Sequence, residues 1–245
     1  MEFSPAQADL RLCSRVKTLV DRLEAANQEV YESVRSEIVL GGCSLILDSW
    51  LLGAASEEAQ PGLGFDLRDE IVSGVLQLGE PEEQHLPSSP EMVPYQPTPA
   101  RHILDLITAS ELTDDDILVD LGSGLGHVPL LVSILTGART LGVEFQPAYV
   151  ATAQECVGKL NLRRTLFLAG DACEADLSGG TVFYLFSPFT GSILSEVLQR
   201  LKKESTERAI RICSLGPCTC VLEDQAWLKP NAPPDTGRIT VFKSQ

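Results

Sequence analysis

The sequence predicts an α/β protein in which a mostly parallel sheet carries helices on both faces and follows an N-terminal helical region. Strands and helices alternate strictly after residue 100, the strands are continuously apolar, and an amphipathic stripe runs through residues 12–38. Continuously apolar strands are typical of a parallel sheet that is buried on both faces. We therefore expect a helical region and linker at residues 1–93 and an α/β domain at residues 94–245.

The N-terminal region begins with a helix-start signal. Ser4, Pro5 and Gln7 supply a capping hydroxyl, a proline at the first helical position and a capping-box glutamine. Apolar residues then recur at steps of three or four until Gly41 and Gly42: Leu12, Val16, Leu19, Val20, Leu23, Ala26, Val30, Val34 and Ile38. Such a stripe must be buried, and we expect it to pack against the α/β domain or to pair two copies of the chain as a homodimer.

Shorter helices are expected over residues 43–52 and 65–78. From Gly79 to Pro94, prolines and acids follow one another without periodicity, which is typical of a linker or an extended strap. The two prolines of Tyr95-Gln-Pro-Thr-Pro99 then hold the chain extended ahead of a helix at residues 100–110.

The alternation that follows supplies the sheet. Strands are expected at residues 117–121, 140–145, 165–169, 181–186 and 210–215, and helices at 127–136, 147–160 and 192–203. A further strand at 237–243 follows no long helix, so an antiparallel closing pair is expected. Cys218-Thr-Cys220 has no second ligand pair and is interpreted as strand or turn packing, not as a metal site.

The composition narrows the classes of partner. The chain has 19 Lys and Arg against 34 Asp and Glu, a net charge of -15, so duplex nucleic acid is not an expected partner. Residues 1–93 hold 17 acidic and 6 basic side chains and so carry -11 of that charge. Seven cysteines without a framework spacing favour a reduced, cytoplasmic protein, and no apolar run is long enough to predict a signal peptide or a membrane span.

Three glycines alternate with other residues directly behind the first strand, at Gly122, Gly124 and Gly126. Ligands of open parallel sheets bind beyond the carboxyl ends of the strands, and a helix start there favours an anion such as a dinucleotide pyrophosphate. The spacing G-x-G-x-G differs from the dinucleotide fingerprint G-x-G-x-x-G. The sequence therefore disfavours a nicotinamide dehydrogenase.

Asp120 and the three glycines resemble motif I, D-x-G-x-G-x-G, of the class I S-adenosylmethionine-dependent methyltransferases. Glu144 ends the second strand, Asp171 follows the third, and Phe183-Tyr-Leu-Phe-Ser-Pro-Phe189 ends the fourth, each where that family has a functional position. The resemblance implies a Rossmann-like sheet of seven strands, S-adenosylmethionine as the cofactor and a methyltransferase activity of the 2.1.1 type. It also implies that the methionine portion of the cofactor lies against the glycine turn, with Asp120 beneath that turn.

The family roles of the other strand ends follow from the same resemblance. Glu144 would accept hydrogen bonds from both ribose hydroxyls, Asp171 would accept one from the adenine amino group, and the fourth strand would end beside the transferred methyl group. A carboxylate suits the ribose because it accepts two hydroxyl donors at once.

A narrower resemblance covers about residues 94–190. Tyr95-Gln-Pro-Thr-Pro99 followed by the glycine motif is similar to the catalytic core of the non-SET histone lysine methyltransferases of the disruptor-of-telomeric-silencing type. In that family a similar segment folds over the cofactor, a role that Tyr95 and Thr98 would inherit. The sequence departs from that family at Ser187-Pro188-Phe189, where the family has an asparagine pair before an aromatic residue.

These interpretations give a set of expected site residues. The expected cofactor-binding residues are Tyr95, Thr98, Asp120, Gly122, Ser123, Gly124, Gly126, Glu144, Phe145, Asp171, Ala172 and Ser187. The expected lining of the methyl site is Ser187, Phe189 and Tyr95. The acceptor is expected to be a protein, with a lysine as one candidate, or a small molecule; the alternative is a catalytically silent fold that acts as a binding protein.

Overall fold

The structure is a computed structural model that describes residues 5–41, 45–54, 65–79, 81 and 89–245, with side chains from residue 12 onward. The helices before the sheet are α1 (Pro5–Gly41), α2 (Leu45–Gly53), α3 (Leu67–Leu76) and α4 (Ala100–Ser110). The sheet and its helices are β1 (Ile117–Leu121), α5 (His127–Thr136), β2 (Arg139–Glu144), α6 (Pro147–Lys159), β3 (Thr165–Ala169), β4 (Val182–Leu185), α7 (Gly191–Glu207), β5 (Arg211–Ser214), α8 (Cys218–Glu223), β6 (Leu228–Pro230) and β7 (Thr240–Ser244). The predicted capping residue Ser4 lies outside the described residues.

The sheet has seven strands in the order β3-β2-β1-β4-β5-β7-β6. Strands β1 to β5 pair in parallel, whereas β7 runs antiparallel to both β5 and β6. The predicted Rossmann-like, mostly parallel sheet and its antiparallel closing pair are therefore confirmed. The strand order reverses between β1 and β4, and a crevice at the carboxyl ends of these strands is where open α/β sheets bind ligands.

The segment Cys218-Thr-Cys220 corrects one prediction, because it begins helix α8 and is neither strand nor turn. Pro217, with its φ of -59, starts the helix, and the Ser187 hydroxyl accepts the Cys218 N–H at 3.0 Å. The proline angle and this hydrogen bond both suit a first helical turn, because the N–H groups there have no partner inside the helix. The short apolar run could not distinguish a buried helix from a strand.

Two hydrophobic clusters cover the two faces of the sheet. One of them joins the end of α1 to the later helices, with Val34, Ile38, Leu47 and Val75 buried together with Leu130 of α5. The last part of the amphipathic stripe thus packs on the α/β domain, as one of the two expected arrangements requires. The earlier part of the stripe is exposed.

None of the described helices is long and apolar enough to cross a membrane.

Candidate active site

A cavity of about 610 Å³ opens at the carboxyl ends of the central strands. The structure brings most of the expected site residues to its wall: Tyr95, Thr98, Asp120, Gly122, Ser123, Glu144, Phe145, Asp171, Ala172, Ser187 and Phe189. Gly124 and Gly126 lie behind this wall. The site therefore forms at the point where the strand order reverses, as the topology requires.

Both the backbone conformation and the packing of the loop require glycine at these three positions. Gly122, Gly124 and Gly126 all have positive φ, at 87°, 53° and 89°, which side-chain-bearing residues rarely adopt. A Cβ atom would also overlap Pro188 at the first glycine, the Tyr95 ring at the second and the Phe167 ring at the third (nearest atoms in each case). The structure thus gives the glycines a reason in addition to cofactor access, because a protein side chain packs directly on each of them.

Two buried carboxyl groups lie at the base of the site. Asp120 is 3% exposed, and burial, assisted by the nearby Glu144, holds the pKa of its carboxyl well above the usual range. Burial also raises the pKa of Glu144, although its carboxylate accepts the N–H groups of Gly124 and Gln146, each at 2.8 Å. A cation placed beside these groups would favour their ionised forms.

Ser123 presents a polar atom without a partner inside the described structure. The residue lines the cavity and is 7% exposed, but its Oγ atom is buried and makes no hydrogen bond with described groups. An unsatisfied buried polar group costs about 1–3 kcal/mol, so such groups in native proteins need an explanation. The Oγ atom lies against Gly142 of β2, whose missing side chain leaves room for it.

Residues 89–99, which we call the strap, close one side of the cavity. The Val93 N–H donates to the Pro188 carbonyl at 3.0 Å, and Met92 forms a β-bridge with Phe189. At the start of the strap, the Glu91 carboxylate accepts N–H groups at the start of α7, including that of Ser192. The strap is therefore attached to the loop that follows β4.

The aromatic end of the strap is attached to α5 and α6. The Tyr95 hydroxyl lies 3.2 Å from His127 Nδ1, and its ring centroid lies 5.1 Å from that of Tyr149. Burial lowers the pKa of His127 to about 4, so its imidazole is neutral at physiological pH. Farther along, the Thr98 hydroxyl contacts the Tyr184 hydroxyl at 3.2 Å. These contacts place Tyr95 and Thr98 over the glycine loop and β4.

The sequence did not identify His127, Tyr149 or Tyr184 as site residues, although all three line the cavity. The position of His127 directly behind the third glycine was the one available signal. The other two residues belong to ordinary amphipathic or apolar segments, and they enter the site through contacts between distant parts of the chain.

Ser187 lines the cavity as expected, but its hydroxyl is engaged within the protein. It donates to the Leu215 carbonyl at 3.1 Å and accepts the Cys218 N–H at 3.0 Å. Its positive φ of 43° reflects a tight turn after β4. Ser187 therefore joins the ends of β4 and β5, while the buried side chain of Phe189 supplies an apolar wall beside it.

Asp171 stands at the mouth of the cavity and also orders the turn behind β3. Its Oδ1 atom accepts the Cys173 N–H at 2.8 Å, and its side chain is exposed. Together with Asp120 and Glu144, it gives the cavity three carboxyl groups, and no lysine or arginine is found among the described lining residues. The site is consequently unfavourable for a pyrophosphate and favourable for a cationic ligand.

The strand order, the glycine loop and the acidic residues at the ends of β1, β2 and β3 match the pattern of the Rossmann-like methyltransferases. The model of the family "Histone methylation protein DOT1" matches residues 91–178, which include most of the strap and the first three strand ends. The chain thus resembles the class I S-adenosylmethionine-dependent methyltransferases and, within them, the DOT1 catalytic core.

Individual relatives are more distant. A protein-lysine N-methyltransferase of Saccharolobus islandicus (strain REY15A) is 29% identical over 117 residues, which cover 45% of this chain and 66% of the relative, a little under two thirds. Among solved structures, an RNA methyltransferase from Salinibacter ruber in complex with S-adenosyl-L-homocysteine is 25% identical, covering 61% of this chain and 92% of its own, with a TM-score of 0.48. A precorrin-6y methyltransferase from Geobacter metallireducens is 16% identical, and the match covers 65% of this chain and 92% of that protein, with a TM-score of 0.43.

Proposed function

We propose that this chain is an S-adenosylmethionine-dependent methyltransferase whose acceptor is a lysine side chain of a protein. The observation that carries the proposal is the set of ionisable groups on the cavity wall: three carboxyl groups, which a bound cation would hold in their ionised forms, and, among the described lining residues, neither lysine nor arginine. S-adenosylmethionine carries a sulfonium and an ammonium group, whereas a dinucleotide carries phosphates. The cavity therefore suits the first cofactor and opposes the second.

The residues present fit the parts of this cofactor. Glu144 accepts the N–H groups of Gly124 and Gln146, and its remaining acceptor capacity would face the ribose hydroxyls. Asp120 would face the ammonium group, and Asp171 the adenine amino group. When bound, the cofactor supplies a methyl group that is activated by the adjacent sulfonium.

Support for a lysine acceptor comes from the other part of the wall and from the relatives. Met92, Phe186, Phe189 and Pro217 line the cavity beside the end of β4 with apolar surface. A lysine combines a long apolar stem with a cationic end, and its stem packs well on such a surface. The family that matches residues 91–178 is a histone methylation family, and the archaeal relative is named a protein-lysine methyltransferase.

The chain contributes to the reaction chiefly by positioning the reactants. Holding nucleophile, methyl group and leaving group in line supplies several kcal/mol of the barrier reduction, roughly 7–11 at best. The His127 imidazole, with a pKa of about 4 and a bond to Tyr95, serves to hold the strap and is too weak a base to deprotonate an ammonium group. We therefore propose that the acceptor amine loses its proton to water before methyl transfer.

Isothermal titration with S-adenosylhomocysteine tests the cofactor site. We expect the parent chain to bind, and Asp120→Asn and Glu144→Gln to bind at least about tenfold more weakly, since each removes a charge-assisted contact. Asp115→Asn, an exposed acid outside the cavity, is the matched control and should bind like the parent. A folded parent that does not bind would disprove the proposal.

Transfer of labelled methyl groups to lysine-rich proteins tests the acceptor. We expect incorporation into the native protein and loss of incorporation after its lysines are blocked by acetylation. Cofactor binding without transfer to any protein or small molecule would instead support the alternative of a catalytically silent binding protein.

A further inference from the structure

The first part of α1 carries an apolar stripe that the described structure leaves uncovered. Every residue from 12 to 30 is exposed, and contact with the body of the molecule begins only at Tyr31 and Val34. We call residues 12–30 the arm; they form about 28 Å of helix. The large apolar side chains of the arm are exposed by 42–64%: Leu12, Val16, Leu19, Val20, Leu23 and Val30.

The spacing of these side chains indicates the kind of partner that would cover them. Apolar residues follow one another at alternating steps of four and three along the arm: Leu12, Val16, Leu19, Leu23, Ala26 and Val30. This is a heptad repeat, the pattern of a helix that pairs with another helix along a coiled-coil seam. Most of the stability of a protein helix comes from packing of its apolar face, so a partner helix would also stabilise the arm itself.

The charges of the arm indicate that the partner is a second copy of this chain. The chain as a whole has a net charge of -15, but the arm holds three basic and three acidic side chains and is neutral. The basic side chains lie toward one end and the acidic ones toward the other: Arg15, Lys17 and Arg22, against Asp21, Glu24 and Glu29. Two copies in antiparallel orientation would place opposite charges beside each other, whereas a parallel pair would place like charges together.

One antiparallel register satisfies both the seam and the flanking charges. With Leu23 of one arm packed against the partner's Leu19, Arg15 lies opposite the partner's Glu29, and symmetry repeats both contacts. The two Arg22 side chains meet at the centre. The register therefore has two favourable Arg–Glu pairs and one unfavourable contact between like charges. We propose that the arms of two copies of this chain pair in this register as an antiparallel coiled coil and make the protein a homodimer.

Sedimentation equilibrium of the full chain over a micromolar concentration series tests the proposal. The parent should approach twice its chain mass of 26.5 kDa. Leu19→Lys places a charge in the seam and should give a monomer, whereas Thr18→Lys, which adds the same charge on the exposed face beside it, should remain a dimer. A monomeric parent, a dimeric Leu19→Lys variant, or a parent recovered only in complex with another protein's helix would overturn the proposal.

The orientation has its own test. Arg15→Glu should weaken dimerisation about tenfold because it opposes like charges at two symmetric positions, and adding Glu29→Arg should restore it. A parallel pair would show no such rescue, and its absence would overturn the antiparallel register. Circular dichroism verifies that each variant keeps its helical content. None of these measurements uses cofactor or activity, so they are independent of the proposed function.

Discussion

Gly124 combines three requirements at one residue. Its φ of 53° lies in the left-handed region, its N–H donates to the Glu144 carboxylate, and the Tyr95 ring packs on its Cα. A side chain at this position would strain the left-handed backbone conformation and would overlap the Tyr95 ring. The residue thus connects the glycine loop, the strap and the acid that would hold the cofactor ribose.

Gly124→Ala should therefore lose both stability and cofactor affinity. We expect a cost of about 1–3 kcal/mol from backbone strain and displacement of the tyrosine ring, and a loss of S-adenosylhomocysteine binding in calorimetry. Gly158→Ala is the control, because an added Cβ at this exposed position of α6 meets nothing within 4 Å. That variant should be neutral or more stable by about 0.5–1 kcal/mol. Equal melting temperatures for both variants would contradict the role assigned to Gly124.

The strap is the element that decides whether the site is closed. Its anchor is Glu91, whose carboxylate accepts the Ser192 hydroxyl at 2.6 Å and the N–H groups of Ser192 and Ile193 at the start of α7. These hydrogen bonds lower the pKa of Glu91. For an acid with a lowered pKa, the stabilisation is present above the unfolded-state pKa and is lost as the pH falls through the folded one. The anchor is thus intact at neutral pH.

Glu91→Ala should release the strap and leave the rest of the site in place. We expect the KM for S-adenosylmethionine to rise about three- to tenfold with kcat changed less, because the strap covers the cavity while the acids that would hold the cofactor come from the strand ends. Glu207→Ala, at the opposite end of α7, is the matched control and should leave both parameters unchanged. A fall in kcat at unchanged KM would show that Glu91 does not act through closure.

At the scale of the whole molecule, the buried acids couple stability to ligand binding. The raised pKa of Asp120 means that the folded chain holds a proton more tightly there than the unfolded chain does. Folding stability therefore falls as the pH rises from the unfolded-state pKa through the folded one. A bound cation offsets this cost, so cofactor binding should release protons and strengthen as the pH rises through the same window.

Asp120→Asn should accordingly stabilise the ligand-free protein while it weakens cofactor binding. We expect the variant to melt at a higher temperature than the parent, with a larger difference at pH 8 than at pH 5. Each kcal/mol gained in the free energy of unfolding should raise the melting temperature by about 2–4 °C. S-adenosylmethionine should raise the melting temperature of the parent by more than that of the variant. A variant that melts below the parent at both pH values would show that Asp120 stabilises the fold.

The order of the elements could be predicted from local patterns. Continuous apolar runs marked the five parallel strands, and the residues at their ends marked the site, because a parallel sheet brings its carboxyl ends to one edge. The short strand β6 escaped prediction because only Leu228 of its three residues is buried, so it carries no periodic signal. The assignment of α8 failed because six residues are too few for a period to distinguish helix from strand.

The glycine spacing and the acids at the strand ends were enough to predict the class of protein, since the residue types that a cofactor requires are local. Only the tertiary structure decided how those residues are held: the Tyr95–His127 contact, the Thr98–Tyr184 contact and the engagement of the Ser187 hydroxyl. It also decided that the stripe of α1 divides into a packed end and an exposed arm. Hydrophobic periodicity states which face of a helix must be covered, but the distances between elements determine what covers it.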